Sequence, residues 1–223
     1  MNFVLCHGWS LDQRSMLALA AALQIHYPQA SLQLIELGMT GMPINEQILI
    51  EPNVPMIAIG HSYGFAWLLK QAVNWRALVA INGFTHFCRG PHHPTGTPKR
   101  LLEAMLARLG NEAEALLAEF YQRCGLPEGA LFKTPARLDT ARLSHFLSKL
   151  RDTHLSLPDL PVLAIAGKQD TIVAADLSQD CFKELAWLDG QHALPQQHPA
   201  ACARLIAKFI EQSANLRNPE KLD

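Results

Sequence analysis

Four short runs of uninterrupted apolar residues constrain this chain more than any other feature: Phe3-Val4-Leu5, Val54-Pro55-Met56-Ile57-Ala58-Ile59, Ala77-Leu78-Val79-Ala80-Ile81 and Val162-Leu163-Ala164-Ile165-Ala166. A strand with one wet face alternates apolar and polar residues, so runs without alternation predict strands covered on both faces, the usual state in a parallel sheet. Between them the spacing changes to helical. Met16, Leu17, Leu19, Ala20 and Leu23 mark one helix ahead of the strand-like Leu32-Gln33-Leu34-Ile35, and Phe65, Leu68, Leu69, Ala72 and Val73 mark another. Near the end, strand-like Glu184-Leu185-Ala186-Trp187-Leu188 precedes a helix carrying Cys202, Leu205, Ile206, Phe209 and Ile210. Strand and helix in alternation predict an α/β chain, with a mostly parallel sheet covered by helices on both faces.

The alternation breaks between Phe84 and Pro158, where a loop at 89–98 leads into helical segments at 101–109, 112–123 and 138–150. This predicts a core of residues 1–83 and 159–212, a helical lid at 84–158, and a disordered tail at 213–223 where apolar periodicity is lost. With 223 residues, 49% hydrophobic and 17% charged, the chain has the composition of one soluble globular unit. A net charge of -1 offers no general attraction to nucleic acid or anionic membranes. No run approaches the ~18 apolar residues of a membrane span, and the first residues lack the basic start of a signal peptide. Five cysteines, at 6, 88, 124, 181 and 202, are odd in number and lack C-x-x-C spacing, which predicts reduced thiols of a cytoplasmic protein. His92-His93 has no further ligands at fixed spacing, so no metal site and no cofactor are expected.

Gly60-His61-Ser62-Tyr63-Gly64 stands where the second apolar run ends and the second helix begins. A turn this sharp projects the serine hydroxyl from the sheet and leaves room only for glycine on its flanks. Ser62 is therefore the candidate nucleophile, and it needs a base and a group to orient that base. His192 sits in Gly190-Gln191-His192-Ala193, between the last strand and the last helix, and Asp170 ends Gly167-Lys168-Gln169-Asp170 after the strand at 162–166. Both fall at carboxyl ends of strands, where sites of open parallel sheets form. The backbone N–H groups of Tyr63 and of Trp9, in the loop after the first strand, are the candidate donors to a developing oxyanion. The Trp9 side chain is a candidate pocket wall.

With these motifs the chain resembles the α/β hydrolases over nearly its whole length. Cys6-His7-Gly8-Trp9-Ser10 is similar to the H-G-W loop, the pentapeptide at Gly60 to the nucleophile elbow, and the loops of Asp170 and His192 to the acid and histidine loops. The resemblance implies an α/β-hydrolase fold and a serine carboxylesterase working through an acyl-enzyme. The compact size, the H-G-W-S start and the helical lid resemble the biotin-pathway carboxylesterases that act on pimeloyl-[acyl carrier protein] methyl ester. The family's strand pair ahead of the H-G loop is lacking, which predicts a shortened N-terminal sheet edge. Tyr63 stands where the family commonly has tryptophan, which keeps the N–H donor and alters the expected pocket wall.

An acyl carrier protein is acidic, so such a partner implies basic residues near the site. Lys133, Arg137, Arg142, Lys149 and Arg151 face only Asp139 in that stretch, a local excess of four charges. Arg137, Arg142, Lys149 and Arg151 are thus candidate carrier contacts and Phe146 a candidate acyl contact, in a chain expected to be monomeric. Two alternatives remain: a short-acyl esterase or thioesterase without a carrier, and a non-catalytic ligand-binding protein on the same scaffold.

Overall fold

The apolar runs become the middle of a six-stranded sheet. The computed structural model describes residues 1–91, 93–126 and 138–213. In chain order, β1 (Asn2–Cys6) leads through a 3-10 turn (Gln13–Met16) into α1 (Leu17–His26) and β2 (Ser31–Ile35). Then come β3 (Met56–His61), α2 (Tyr63–Leu69) and β4 (Ala77–Ile81). The inserted segment contributes α3 (Lys99–Leu109), α4 (Ala113–Cys124) and α5 (Thr140–Arg151). The chain closes with β5 (Val162–Gly167), α6 (Ala175–Cys181), β6 (Ala186–Leu188), α7 (Leu194–Gln197) and α8 (Pro199–Gln212). Strand order is β2-β1-β3-β4-β5-β6, and all five pairings are parallel. The expected disordered tail, apart from Ser213, and the cations Lys133 and Arg137 lie outside the described residues.

Side chains alternate across a strand, so each apolar run feeds two cores. Phe3, Leu5, Ile57, Ile59, Val79 and Ile81 face α1 and α8, where Leu19, Leu23, Cys202 and Ile206 meet them. Val4, Cys6, Ala58, Leu78 and Ala80 face the other way, toward α2 and the inserted helices. Every residue of β1, β3 and β4 is buried, which is why their polar residues, Asn2 and His61, stand only at strand ends.

β2 forms one sheet edge, and the chain near 45–49 covers it. Glu36 and Asn45 exchange backbone hydrogen bonds of 3.0 and 2.9 Å. Beyond them the Gln33 amide replaces a ladder, donating to the Gln47 carbonyl at 2.5 Å and accepting from the Leu49 N–H at 3.0 Å. A side chain that uses up the neighbouring backbone groups blunts an edge against pairing with another chain.

Two local readings change. α2 ends at Leu69 and does not extend to Ala72 and Val73, because Gln71 folds back to donate to the Trp67 carbonyl at 3.0 Å and the chain turns toward β4. α6 and α7 lie where no helical periodicity is visible in the sequence, since at seven and four residues they are too short to display one.

Candidate active site

The sheet order changes direction between β1, which continues to β2 on one side, and β3, which continues to β4 on the other. The crevice outside the carboxyl ends of two such strands is where open α/β sheets bind ligands. Here those ends carry His7-Gly8-Trp9 and Ser62. Ser62 has φ 54° and ψ −124°, outside the regions that L-residues ordinarily occupy. Glycine is what permits the turn. A Cβ on Gly60 would strike the Phe65 backbone, and one on Gly64 would strike the carbonyls of Cys6 and His7. The start of α2 thus lies directly against the end of β1.

The His7 ring fixes the loop on the other side of the crevice. Its Nδ1 lies 2.9 Å from the Gly8 carbonyl, which can only accept, and its Nε2 lies 3.1 Å from the Leu37 amide, which can only donate. Nδ1 therefore donates to the Gly8 carbonyl while Nε2 faces the Leu37 amide, with the buried Glu36 carboxylate 3.5 Å away. No hydrogen bond within the described residues engages the amides of Trp9 or Tyr63, so both donors remain available at the crevice.

In the loops that follow β5 and β6, His192 Nδ1 donates to Asp170 Oδ2 at 2.7 Å, with His192 1% and Asp170 7% exposed. Asp170 Oδ1 accepts from the amides of Ile172 at 2.7 Å and Val173 at 2.9 Å, so three hydrogen bonds orient the carboxylate. Neither Ser62 Oγ nor His192 Nε2 is engaged by another group among the described residues. That leaves a hydroxyl and a ring nitrogen free for chemistry.

Asn82, one residue past β4, is a part of this arrangement that the sequence reading missed. Its Nδ2 donates to the carbonyls of Gln191 at 3.1 Å and His192 at 2.9 Å, and its Oδ1 accepts from the Gly167 amide at 2.8 Å. One buried amide ties the acid loop to the histidine loop. The available signal was an asparagine before Gly83 at a strand's carboxyl end, a residue that tolerates the left-handed region it occupies at φ 46°. His61 supports the same loop by donating from Nε2 to the His192 carbonyl at 2.8 Å. Burial, reinforced by His192, lowers the His61 pKa to about 3, so this ring is neutral near pH 7.

The cavity at Ser62 has a volume of about 100 Å³ and mostly apolar walls, including Trp9, Phe87, Met105, Leu147 and Leu150. Trp9 is held there by its indole N–H, which donates to the Leu143 carbonyl of α5 at 2.9 Å. Arg123 is the one charged residue of the lining, and its guanidinium donates to the Thr171 carbonyl at 3.0 Å. At the end of α4, the Cys124 carbonyl accepts from the Ala193 amide at 3.0 Å, so this helix braces both loops.

The expected acyl and carrier contacts are arranged differently. Phe146 packs on the Tyr63 ring, 5.6 Å between centroids, and is not part of the Ser62 cavity wall. The Tyr63 ring turns away from that cavity too, because α2 carries it toward α5 while its amide stays at the crevice. Arg142 donates to the Leu37 carbonyl at 2.6 Å and to Glu46, so it fastens α5 to the core. Arg151 pairs with Asp152 at 2.8 Å. Lys149 lies with Lys70 beside a separate surface hollow, and Arg137 is outside the described residues. The five cysteines are free and buried; burial foremost raises the Cys6 thiol well above its ordinary range, which disfavours a thiolate there.

No family model and no curated protein sequence matches this chain. Solved structures do. An esterase from Exiguobacterium antarcticum superposes with a TM-score of 0.78 at 13% identity, covering 95% of this chain and 92% of its own. The fold is that of the α/β hydrolases. A bromoperoxidase from Bacillus anthracis also has a likeness to it, with a TM-score of 0.67 at 16% identity over 94% of this chain and 91% of that one. BioG from Haemophilus influenzae gives 0.61 at 14% identity over 88% and 90%. An α/β-hydrolase fold hosts more than one chemistry, so activity has to be argued from the site. Among the described residues, no helix is long and apolar enough to cross a membrane.

Two outcomes follow from the loop geometry. Asn82→Ala leaves the Gly167 amide without its buried acceptor and should lower stability in urea by about 1–3 kcal/mol; an unchanged midpoint would show that the cross-link carries no weight. His61 binds its proton near pH 6.5 when unfolded and only near pH 3 when folded, so its contribution to stability is lost as pH falls through that window. His61→Gln keeps a donor for the His192 carbonyl and should flatten the acid side of the stability curve by up to ~1.4 kcal/mol per pH unit. Parallel curves for the two proteins would contradict a neutral buried ring.

Proposed function

We propose that this protein is a serine hydrolase of carboxylic esters, with Ser62 as nucleophile, His192 as general base and acid, and Asp170 as the group that orients His192. One observation carries the reading: Ser62 is held in a strained conformation at the switch point, in a molecule that also holds a buried His192–Asp170 pair at 2.7 Å in the loops after β5 and β6. Ser62 Oγ attacks the ester carbonyl carbon while its proton passes to His192 Nε2. The oxyanion that forms accepts from the amides of Trp9 and Tyr63, which cost little reorganisation because the fold already holds them. His192 returns the proton to the leaving alkoxide, the alcohol departs, and an acyl-enzyme remains. Water, deprotonated by His192, then attacks the acyl carbon, the bond to Ser62 Oγ breaks as His192 returns that proton to Oγ, and the acid is released.

The apolar wall between the inserted helices supports an apolar acyl group. Within that class we propose the methyl ester of pimeloyl-[acyl carrier protein] as substrate, on the resemblance of the H-G-W-S start and of the inserted helical segment. A second reading, a short-acyl esterase without a carrier, draws on two observations. Arg142 and Arg151 already have anionic partners, and the cavity is smaller than the ~150 Å³ that encloses a benzene.

Ser62→Ala should lose about 10³ to 10⁶ of the ester turnover while melting within a few degrees of the wild type; turnover retained by the folded variant would reject the nucleophile. Separately, kcat/KM on pimeloyl-carrier methyl ester beside a panel of p-nitrophenyl esters divides the two substrate readings. A carrier-linked ester preferred by at least about tenfold, or ~1.4 kcal/mol, supports the first, and preference for short free esters supports the second.

A further inference from the structure

His86 and His93 stand at the start of the inserted segment and Asp180 stands on α6, and the fold brings the three together. His86 Nε2 is 3.2 Å from Asp180 Oδ2, and His93 Nδ1 is 3.9 Å from the same oxygen. All three candidate ligand atoms lie within 4.8 Å of one another. We propose that they form a binding site for one divalent transition-metal ion of the zinc type, which fastens the base of the inserted segment to α6.

The independent observation is His86 itself. Its side chain is 3% exposed, yet Nε2 makes no hydrogen bond, because the approach to Asp180 has the wrong angle for one. A buried ring nitrogen without a partner calls for an explanation. The other nitrogen, Nδ1, faces Thr85 Oγ1 at 3.5 Å and Cys181 Sγ at 3.7 Å, weak acceptors for its proton. With the proton there, Nε2 presents a lone pair toward a carboxylate, an arrangement that a cation between them would stabilise. Metal-bound histidines take this form, with the far N–H donated to a neighbour. The carboxylate is oriented as well, since Thr95 Oγ1 donates to Asp180 Oδ2 at 2.6 Å.

Imidazole nitrogens with one carboxylate suit zinc and its neighbours, whereas magnesium and calcium take oxygen ligands. Tetrahedral zinc with bonds of 2.0–2.1 Å keeps its ligand atoms about 3.3 Å apart, so rotations of the His93 and Asp180 side chains would close the set. His154 flanks the open side, its ring 5.1 Å from that of His93, and is the candidate for the fourth position. The site has a structural consequence. His86 pairs with His154 and the Thr85 carbonyl accepts from the Leu155 amide at 2.9 Å, so the two ends of the inserted segment meet here. Phe87, next in sequence, forms part of the Ser62 cavity wall.

The untagged chain, stripped with chelator and dialysed, should bind one zinc ion in a calorimetric titration. With zinc at 100 times its Kd the melting temperature should rise by about 5–11 °C, and magnesium should leave it unchanged. His93 is half-exposed, so His93→Gln should fold. That variant and Asp180→Asn should each weaken zinc binding by at least about tenfold while melting like the wild type without metal. Absence of binding at concentrations that saturate a micromolar site would overturn the proposal and leave His86 and Asp180 as a bare ion pair. So would full affinity in both variants, because the ion would then sit on other histidines.

Discussion

Everything at the carboxyl edge of the sheet depends on how closely α2 approaches β1. Ser62 occupies a backbone conformation that costs about 1–3 kcal/mol, and it keeps it because the turn is confined on both sides. The Ser62 amide donates to the Ile81 carbonyl of β4 at 2.9 Å, and Gly64 lies against the carbonyls of Cys6 and His7. The same approach sets the distance between the loop of Trp9 and the first turn of α2. The two free amides at the crevice and the projecting hydroxyl are thus products of one packing constraint, which only glycine at 60 and 64 satisfies.

On the opposite side of the crevice, precision comes from hydrogen bonds between loops. Asp170 and His192 follow β5 and β6, in loops that lie outside the sheet's own hydrogen-bond ladder. Asn82, at the end of the strand between Ser62 and these loops, supplies three bonds that join them. His61 joins the histidine loop to the elbow, and α4 joins it to the inserted helices. His192 and Asp170 are therefore held from several elements, as a preorganised site would require.

The central strands were legible because burial on both faces removes polar alternation and leaves a run that no other element shows so briefly. Ser62 and Asp170 were legible as candidates because each stands within four residues of such a run, and His192 because it lies between the last strand-like stretch and the last helix. Asn82 was not, since an asparagine before glycine at a strand end reads as a turn residue, and its bonds reach loops 85 and more positions away. Arg142 was misread for a related reason. Its charge is visible in sequence, but its engagement by Glu46 and the Leu37 carbonyl depends on how α5 lies across the core. A local excess of cations says nothing about which of them remain free.

That distinction governs how substrate choice is encoded. Ser62, Asp170 and His192 are held by core strands and their cross-links, and their geometry follows from the fold. The cavity wall beside Ser62 draws on α3, α4 and α5, joined to the core by Arg142, by the Trp9 indole and by the contacts around His86. On the proposed esterase reading, a change at any of those joints would shift Leu147, Leu150 or Phe87 relative to Ser62 and leave the His192–Asp170 pair in place. Substrate choice would then be separable from proton transfer, because the anchors of the inserted helices stand apart from the hydrogen bonds that hold that pair.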